Sequence, residues 1–192
     1  MRGAIGHLNW INLDRLSMTK GASIGSYNRI KGKFSLIMKK EARIGNHDII
    51  AGDAKYEPVS LVMEEKSRIV GSHYINMCSN ISIGVFTTIA GGGTQIWTHS
   101  FFYTSDFKSY RVDGEVHIGD FCYIGSGCII CPNVRIADHV IVGAGSNIAT
   151  NLDKSGLYVS QPLRYKEYDV NESLNKLGAE VFPGIYKKQE KR

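Results

Sequence analysis

The six histidines are the residues best suited to acid–base chemistry, because imidazole is the side chain whose ordinary pKa lies closest to neutral pH. They are His7, His47, His73, His99, His117 and His139. Four of them, at 47, 73, 117 and 139, fall within a regular repeat of the sequence. His99 stands where that repeat stops, in the run WTHS at residues 97–100. Position therefore singles out His99 among the six.

Two carboxylates close the irregular stretch that His99 opens. Asp113 and Glu115 lie just before the repeat resumes at Val116. A histidine that acts as a base needs a group to orient its second ring nitrogen, and a carboxylate is a common choice. Either acid is therefore a candidate partner for His99, and solvated loop acids without a role remain the alternative.

The four cysteines, at 78, 122, 128 and 131, are predicted to be free thiols rather than ligands. Cys122 and Cys128 occupy inward positions of the repeat, where a small thiol packs well. Cys128 and Cys131 have the spacing of half a zinc site, but no second Cys or His pair follows at ligand spacing. We therefore predict no metal site.

The element that must position these groups is a repeat with a period of six. Its aliphatic residues are Ile118, Ile124, Ile130, Ile136, Val142 and Ile148. A small residue follows most of them, and another compact or apolar residue comes four positions later. A period of six fits neither an amphipathic helix nor a half-buried strand, but it fits a solenoid in which three hexapeptides complete one coil. The sequence therefore predicts an all-β fold, a parallel β-helix.

The same period divides the chain into three parts. Residues 1–23 are expected to form an N-terminal cap or an irregular first coil, and residues 24–160 the β-helix. Residues 98–115 interrupt the β-helix as an extruded loop rich in aromatic residues, which suggests a functional segment. Residues 161–192 are expected to form an exit segment, a short helix over residues 172–177 that Gly178 ends, and a basic tail.

Composition narrows the possible functions. The 192 residues carry a formal net charge of +5, with 43% hydrophobic and 21% charged residues, which is ordinary for a single folded domain. Nothing resembles a nucleic-acid-binding motif. No apolar run approaches the length of a membrane span and no signal peptide is visible. We therefore expect a cytoplasmic protein without an integral membrane segment.

Two runs carry a resemblance to a known family: IGDFCYIG at residues 118–125 and VGAGS at residues 142–146. They resemble the hexapeptide-repeat acyltransferases, whose β-helix is left-handed. The order of Thr-His, insertion, Val-x-Ile-Gly-Asp, repeat, Gly-Ala-Gly-Ser and a proline-containing exit is similar to that of maltose/galactoside and surface-polysaccharide O-acetyltransferases. The resemblance covers roughly residues 69–165. It implies a left-handed β-helix and a homotrimer with active sites between subunits.

The resemblance also implies an activity, namely acetyl transfer from acetyl-CoA to a sugar hydroxyl, with a bacterial surface polysaccharide as the expected acceptor. It gives His99 the role of general base, and it places Asn76 against the tetrahedral intermediate; a corner asparagine is the alternative for Asn76. Trp97 would either stack on a sugar ring or lie in a subunit interface. Where the family has Asn-Pro-Ala-Lys, this chain has QPLR at residues 161–164. The residues expected to bind coenzyme A are Ser126, Gly143, Ala144, Ser146, Arg164 and Lys166.

Three other functions compete with O-acetylation. An N-acyltransferase acting on an amino sugar or a nucleotide sugar would use the same parts. A metalloenzyme resembling the γ-carbonic anhydrases would need three converging histidines, and the sequence has no His-x4-His pair for such a site. A non-catalytic trimeric scaffold would explain the repeat but not the aromatic insertion beside His99.

Overall fold

Strands dominate the computed structural model, which describes residues 3–55, 58–159, 164–167, 177–182 and 185–188. The strands, in chain order, are β1 (Ala4–Ile5), β2 (Trp10–Met18), β3 (Ser23–Ile24), β4 (Arg29–Met38), β5 (Arg43–Asn46), β6 (Ile49–Gly52), β7 (Ser60–Met63), β8 (Arg68–Gly71), β9 (Tyr74–Asn76), β10 (Ile81–Ile83), β11 (Thr88–Ile89), β12 (Gln95–Ile96), β13 (His99–Tyr103), β14 (Ser109–Asp113), β15 (Val116–Ile118), β16 (Tyr123–Ile124), β17 (Ile129–Ile130), β18 (Arg135–Ile136), β19 (Val140–Val142), β20 (Asn147–Ile148), β21 (Gly156–Val159), β22 (Arg164–Lys166), β23 (Leu177–Phe182) and β24 (Ile185–Lys188).

Parallel pairing stacks these strands into the three faces of a β-helix. The first face is formed, in order, by β1, β3, β5, β8, β11, β16, β19 and β21. The second face is formed by the first halves of β2 and β4, followed by β6, β9, β12, β17 and β20. The third face is formed by the second halves of β2 and β4, followed by β7, β10, β15 and β18. We call the edge between the first and second faces the first corner, that between the second and third faces the second corner, and the return to the first face the third corner.

The aliphatic residues of the repeat fill the interior, as predicted. All six, from Ile118 to Ile148, are buried. They stack in register from coil to coil; Ile69, Ile89, Ile124 and Val142 form one such column. Each fully buried side chain of this size contributes about 1.5–3 kcal/mol of hydrophobic stabilisation. The parallel β-helix predicted from the period is therefore confirmed.

The two ends of the chain add detail that the period did not give. The N-terminal segment forms the first coil, because β1 pairs with β3 and β2 pairs with β4. The predicted C-terminal helix lies mostly outside the described residues, but its last residue, Leu177, begins β23, and Gly178 lies inside that strand instead of ending a helix. β23 pairs antiparallel with β24. No helix in the described ranges is long and apolar enough to cross a membrane.

The predicted loop is a β-hairpin. β13 and β14 pair antiparallel, with His99 opposite Asp113. Its aromatic side chains are exposed, and Phe107 is fully exposed at the tip. Phe102 and Tyr110 stack on each other with ring centroids 5.0 Å apart. The hairpin therefore leaves the prism at the second corner with an apolar surface facing outward.

A ladder of polar side chains runs down the inside of the first corner. Each side chain accepts a hydrogen bond from the backbone N–H of its equivalent in the next coil, at distances between 2.8 and 3.2 Å. The accepting residues, in order, are Asn9, Asn28, Asp48, His73 and Thr94. The ladder satisfies backbone groups that the turn removes from the strand pairing, and an unpaired buried N–H would be costly.

Candidate active site

Thr98 anchors the second corner and determines where His99 lies. Its buried hydroxyl accepts hydrogen bonds from the backbone N–H groups of Cys78 (2.9 Å) and Ser79 (3.1 Å). The same hydroxyl lies 2.8 Å from the side-chain oxygen of Asn76 and 2.9 Å from its backbone oxygen. One residue therefore ties the start of the hairpin to the coil before it.

His99 is held by Asn76. Its Nδ1 lies 2.9 Å from Oδ1 of Asn76. The backbone N–H of Thr98, which can only donate, faces the same amide atom at 3.4 Å, so that atom is the oxygen. An amide oxygen only accepts, and Nδ1 of His99 must therefore carry the proton. This tautomer leaves the lone pair on Nε2, as a general base requires.

The surroundings favour the neutral imidazole. Partial burial lowers the pKa of His99 from its ordinary value, and the nearby Arg111 guanidinium lowers it further, while Asp113 opposes both effects. Arg111 forms a two-pronged ion pair with Asp113, at 2.6 and 2.7 Å. This pairing occupies Asp113, and the lowered pKa favours the uncharged imidazole of His99 at neutral pH.

Aromatic rings form one wall of the site. The ring of Trp97 meets that of His99 edge-on with centroids 5.8 Å apart, and Phe101 meets His99 in the same way at 5.5 Å. Tyr74 lies 5.0 Å from Trp97. The indole Nε1 of Trp97 donates to Gln95, which fixes the orientation of the ring.

A cleft of about 660 Å³ extends from this wall towards the N-terminal coils. Tyr74, Asn76 and Cys78 line the end near His99, and Asn12, Lys31 and Lys33 line the far end. Between them the floor is made of Gly32, Ala51 and Gly52. A Cβ at Gly52 would come within 2.3 Å of the backbone of Met77, so the close approach of the two coils requires glycine there. The volume is in the range of small-molecule sites.

Of the three predicted catalytic residues, His99 and Asn76 are hydrogen-bonded to each other, whereas Glu115 is hydrogen-bonded elsewhere. Asn76 contacts His99, but as the group that orients its Nδ1. Glu115, predicted as a possible partner of His99, instead accepts a hydrogen bond from Asn80 at 2.9 Å. The physical reason is the hairpin register: His99 pairs with Asp113, and the chain passes the corner at Gly114 before it reaches Glu115.

The residues expected to bind coenzyme A lie elsewhere on the chain. Ser126 and Ala144 are exposed at the first corner, with Gly143 half-buried beside them. Ser146 is buried and donates its hydroxyl to the carbonyl of Gly143 at 2.6 Å, so this hydroxyl serves the corner rather than a ligand. Lys166 is exposed on β22, which pairs with β21.

Arg164 begins β22 and pairs through its backbone with Val159. One chain thus places His99 and the expected donor residues at different edges of the prism.

The cysteines behave as structural thiols. Burial raises the pKa values of Cys122 and Cys128, and each thiol lies within hydrogen-bond distance of a backbone carbonyl, of Ala137 and Gly143 respectively. In the described part of the chain, no three His, Cys, Asp or Glu residues are arranged to hold a metal ion.

Sequence reasoning missed three contributors to this site: the bridging role of Thr98, the position of Arg111 and the wall formed by Tyr74. A signal existed for Tyr74, because it stands two residues before Asn76 on one strand and therefore points to the same side. Arg111 lacked such a signal, since its place depends on how the hairpin folds back.

Replacing Thr98 with valine tests the anchor. The substitution removes the hydroxyl and leaves two backbone N–H groups unpaired, so we expect the free energy of unfolding to fall by about 1–3 kcal/mol. Because Asn76 also loses a contact, activity should fall as well. Urea unfolding of Thr98→Val and Thr98→Ser measures the effect. Serine keeps the hydroxyl, and equal losses in the two variants would contradict the anchor role.

Comparison with known proteins agrees with this architecture. Residues 115–150 match the family model "Bacterial transferase hexapeptide (six repeats)". YvoF of Bacillus subtilis (strain 168), a protein named as an acetyltransferase, is 33% identical to this chain over 98 residues. That match covers 50% of this chain and 54% of YvoF, so the chain aligns with about half of the length of that relative.

Two solved structures share the fold at low sequence identity. The N-acyltransferase AntD from Bacillus cereus superposes with a TM-score of 0.61 at 20% identity, over 86% of this chain and 87% of AntD. The polysialic acid O-acetyltransferase OatWY superposes with a TM-score of 0.57 at 14% identity, over 85% and 88% of the two chains. The chain is thus a left-handed parallel β-helix whose residues 115–150 match the hexapeptide repeats of bacterial transferases.

Proposed function

We propose that this protein is an acetyl-CoA-dependent O-acetyltransferase that acts on a carbohydrate, with His99 as the general base. The observation that carries the proposal is the hydrogen bond from His99 Nδ1 to Asn76, which leaves the Nε2 lone pair available, while Asn76 itself lines a cleft together with Tyr74. The match to transferase repeats and the partial match to YvoF support acyl transfer as the reaction class.

The proposed reaction begins when Nε2 of His99 takes the proton from the acceptor hydroxyl. The oxygen then attacks the thioester carbonyl of acetyl-CoA and forms a tetrahedral intermediate. Collapse of the intermediate breaks the carbon–sulfur bond, and the imidazolium returns the proton to the departing thiolate. Asn76 has a further role in this scheme: its Nδ2 makes no hydrogen bond to a described residue, so it can donate to the developing oxyanion.

The aromatic wall makes the site suitable for binding a carbohydrate. Sugar rings present an apolar face of C–H groups that packs on aromatic rings, and their hydroxyls need polar partners at the edges. Tyr74 supplies a ring in the cleft, and Asn12 and Asn76 supply amide groups there. Trp97 borders the cleft through its ring contact with Tyr74, with centroids 5.0 Å apart. We assign Trp97 to sugar binding on this basis.

We place coenzyme A at the first corner of the last coils. Ser126 and Ala144 are exposed there and Gly143 adds no side chain, so a pantetheine arm can approach, and Lys166 with Arg164 would neutralise the phosphates. Ser146 supports the corner instead of the ligand. The solved structure of AntD, which shares the fold, is of a complex with 3-hydroxybutyryl-CoA, and this supports an acyl-CoA donor here.

A homotrimer would bring the two half-sites together. Within one chain His99 lies at the second corner and the donor residues lie at the first. In a trimer of parallel prisms, the second corner of one subunit can face the first corner of its neighbour. The exposed aromatic residues of the hairpin, such as Phe101 and Phe102, would find cover in the same interface.

The test is an acetyl-transfer assay that follows thiol release from acetyl-CoA. The acceptors are neutral sugars, amino sugars, nucleotide sugars and oligosaccharides. Mild alkali distinguishes the products, because it removes an O-acetyl ester and leaves an N-acetyl amide. We expect an alkali-labile product. An alkali-stable product would establish the N-acyltransferase alternative, and failure both to transfer and to bind coenzyme A would indicate a scaffold.

A further inference from the structure

One strand carries three basic residues that the proposed chemistry does not use. Arg29, Lys31 and Lys33 alternate with Ile30 and Gly32 along β4, and the side chains of Ile30 and Phe34 point into the core. The three basic side chains therefore point outward. We call Arg29, Lys31 and Lys33 the cationic stripe. Residues two apart on a straight strand are separated by about 7 Å, so Arg29 and Lys31 are about 7 Å apart, and Lys33 follows them where β4 turns the second corner.

Trp10 holds two members of the stripe in place. The Arg29 guanidinium lies 5.4 Å from the centroid of the indole, and the Lys31 ammonium lies 5.2 Å from it. Trp10 is 57% exposed, so it does not serve the core. Cation–π contacts at these distances restrict both charges. The indole is thereby occupied by the chain's own cations, which favours recognition of charge over stacking of a nucleotide base.

The stripe is only partly balanced by acids in the described part of the chain, and Lys33 is near enough to Asp53 to help lower the pKa of that carboxyl. None of its members lies within salt-bridge distance of a described carboxylate. Asp14 lines the same cleft, and Asp53, which also lines it, is already paired with Lys55. Three cations against these two acids leave the Arg29–Lys31 end with an excess of positive charge that an anionic ligand would neutralise.

Strand register connects the stripe to His99. Asn12, Lys31, Ala51 and Asn76 are aligned side by side on four neighbouring strands. Lys31 is therefore two strand spacings, about 10 Å, from the residue that holds His99. The cleft joins the two points over a floor of Gly32, Ala51 and Gly52.

From this arrangement we propose that the cleft binds an acidic oligosaccharide, with its reacting sugar against Tyr74 and Trp97 and an anionic group of another sugar unit on the cationic stripe. The inference rests on the proposed function, since it names the acceptor for the same site. The separation of about 10 Å between Lys31 and Asn76 exceeds the width of one pyranose ring, so the acceptor has more than one sugar unit. The phosphates of coenzyme A are an unsuitable occupant, because the proposed donor site lies on the opposite side of His99, towards the C-terminal coils.

Calorimetric binding tests the proposal without requiring catalysis. The probes are hexagalacturonate, its methyl ester, which lacks the charges, and a maltohexaose that carries one phosphate. We expect hexagalacturonate to bind about tenfold or more tightly than its ester, because charge-assisted hydrogen bonds are stronger than neutral ones. Tighter binding of the phosphate probe would identify phosphate as the preferred anion. Equal binding of charged and neutral probes would overturn the proposal.

The variant Lys31→Ala/Lys33→Ala should lose about tenfold or more in affinity for the acidic probes and none for coenzyme A. The matched control is Lys20→Ala/Lys39→Ala, which removes the same charge from the third corner and should bind the probes as the wild type does. Failure of transfer with acidic-probe binding intact would refute the proposed function alone. Equal losses in both variants would overturn the proposal, as would reduced coenzyme A affinity in the stripe variant.

Two further outcomes identify other occupants of the cleft. A nucleotide sugar that binds more tightly than hexagalacturonate, and only with the stripe intact, would replace the oligosaccharide as the acceptor. A change in the oligomeric state of the Lys31→Ala/Lys33→Ala variant by sedimentation would show that a second copy of the chain covers the stripe.

Discussion

Replacing His99 with alanine is expected to lower kcat of acetyl transfer by about 10²–10⁴, which is the usual contribution of a positioned general base. The affinity for coenzyme A should not change, because the donor is proposed to bind at the other corner. His99 is half-buried and its one side-chain hydrogen bond to a described residue is to Asn76, so the variant should fold. Thiol release under saturating acceptor, together with calorimetric titration of coenzyme A, measures both quantities.

The pH profile separates a base from a merely structural histidine. Burial and Arg111 lower the pKa of His99. Only the neutral form accepts a proton, so kcat/KM should rise with pH and level off at a pH below the ordinary range for histidine. In the alanine variant this acid limb should disappear. Asn76→Ala frees Nδ1 and should reduce kcat less than His99→Ala does, with the limb shifted rather than lost.

Undiminished transfer in His99→Ala would disprove the assignment and leave His117 as the next candidate. His117 is exposed on the third face, and its Nδ1 lies 2.5 Å from the hydroxyl of Ser82. His73 is excluded from this role because it is buried, and its Nδ1 accepts the backbone N–H of Thr94.

The period of six was sufficient to predict most of the fold. The period reflects a local rule, namely one inward aliphatic residue per short strand, and this rule can be read directly from the sequence. The rule did not identify the first coil, because β2 and β4 each run without a break around a corner. Along these strands inward and outward residues alternate, and on β2 the inward residues are Ile11, Leu13, Leu16 and Met18. A strand that bends around a corner has no reason to repeat every sixth residue.

The site was predictable in part, for a related reason. His99 stood out because the repeat stops there. Asn76 was expected at the site from the family resemblance, but not as the residue that holds His99, because the two meet only through stacking of coils that are 23 residues apart. The hairpin between Thr98 and Glu115 likewise hides which residues return to the corner. The ladder at the first corner was equally hidden, since its members are spaced by 19, 20, 25 and 21 residues.

That ladder contains a carboxyl where its two preceding members have amides. Asn9 and Asn28 each donate their side-chain Nδ2 to a carbonyl one coil away, of Gly25 at 2.7 Å and of Gly45 at 2.8 Å. Asp48 is fully buried at the equivalent place in the next coil, and its Oδ2 has no hydrogen-bond partner among the described residues. The register makes the carbonyl of Val70 the equivalent acceptor. A carboxylate offers no proton to a carbonyl, so burial favours the protonated acid.

This explains why burial raises the pKa of Asp48 from 3.8 to about 6, against the opposing hydrogen bond from the backbone of His73. A raised carboxyl pKa means that the folded state binds a proton more tightly than the unfolded chain. Its stabilising effect is therefore present at low pH and is lost as pH rises from about 4 through 6. The linkage corresponds to about 3 kcal/mol at most.

Replacing Asp48 with asparagine should therefore increase the free energy of unfolding at pH 8 by about 1–3 kcal/mol, and by less at pH 5, where the wild-type carboxyl is largely protonated. The asparagine can donate to the Val70 carbonyl as Asn28 does to that of Gly45. The reciprocal change, Asn28→Asp, should destabilise the protein at pH 8 and recover part of the loss at pH 5. Urea unfolding at fixed protein concentration measures both variants. Burial lowers the pKa of the neighbouring His73, so the wild type also loses stability towards acid, but His73 is common to all three proteins. A gain for Asp48→Asn of the same size at both pH values would show that the buried carboxyl is not the cause.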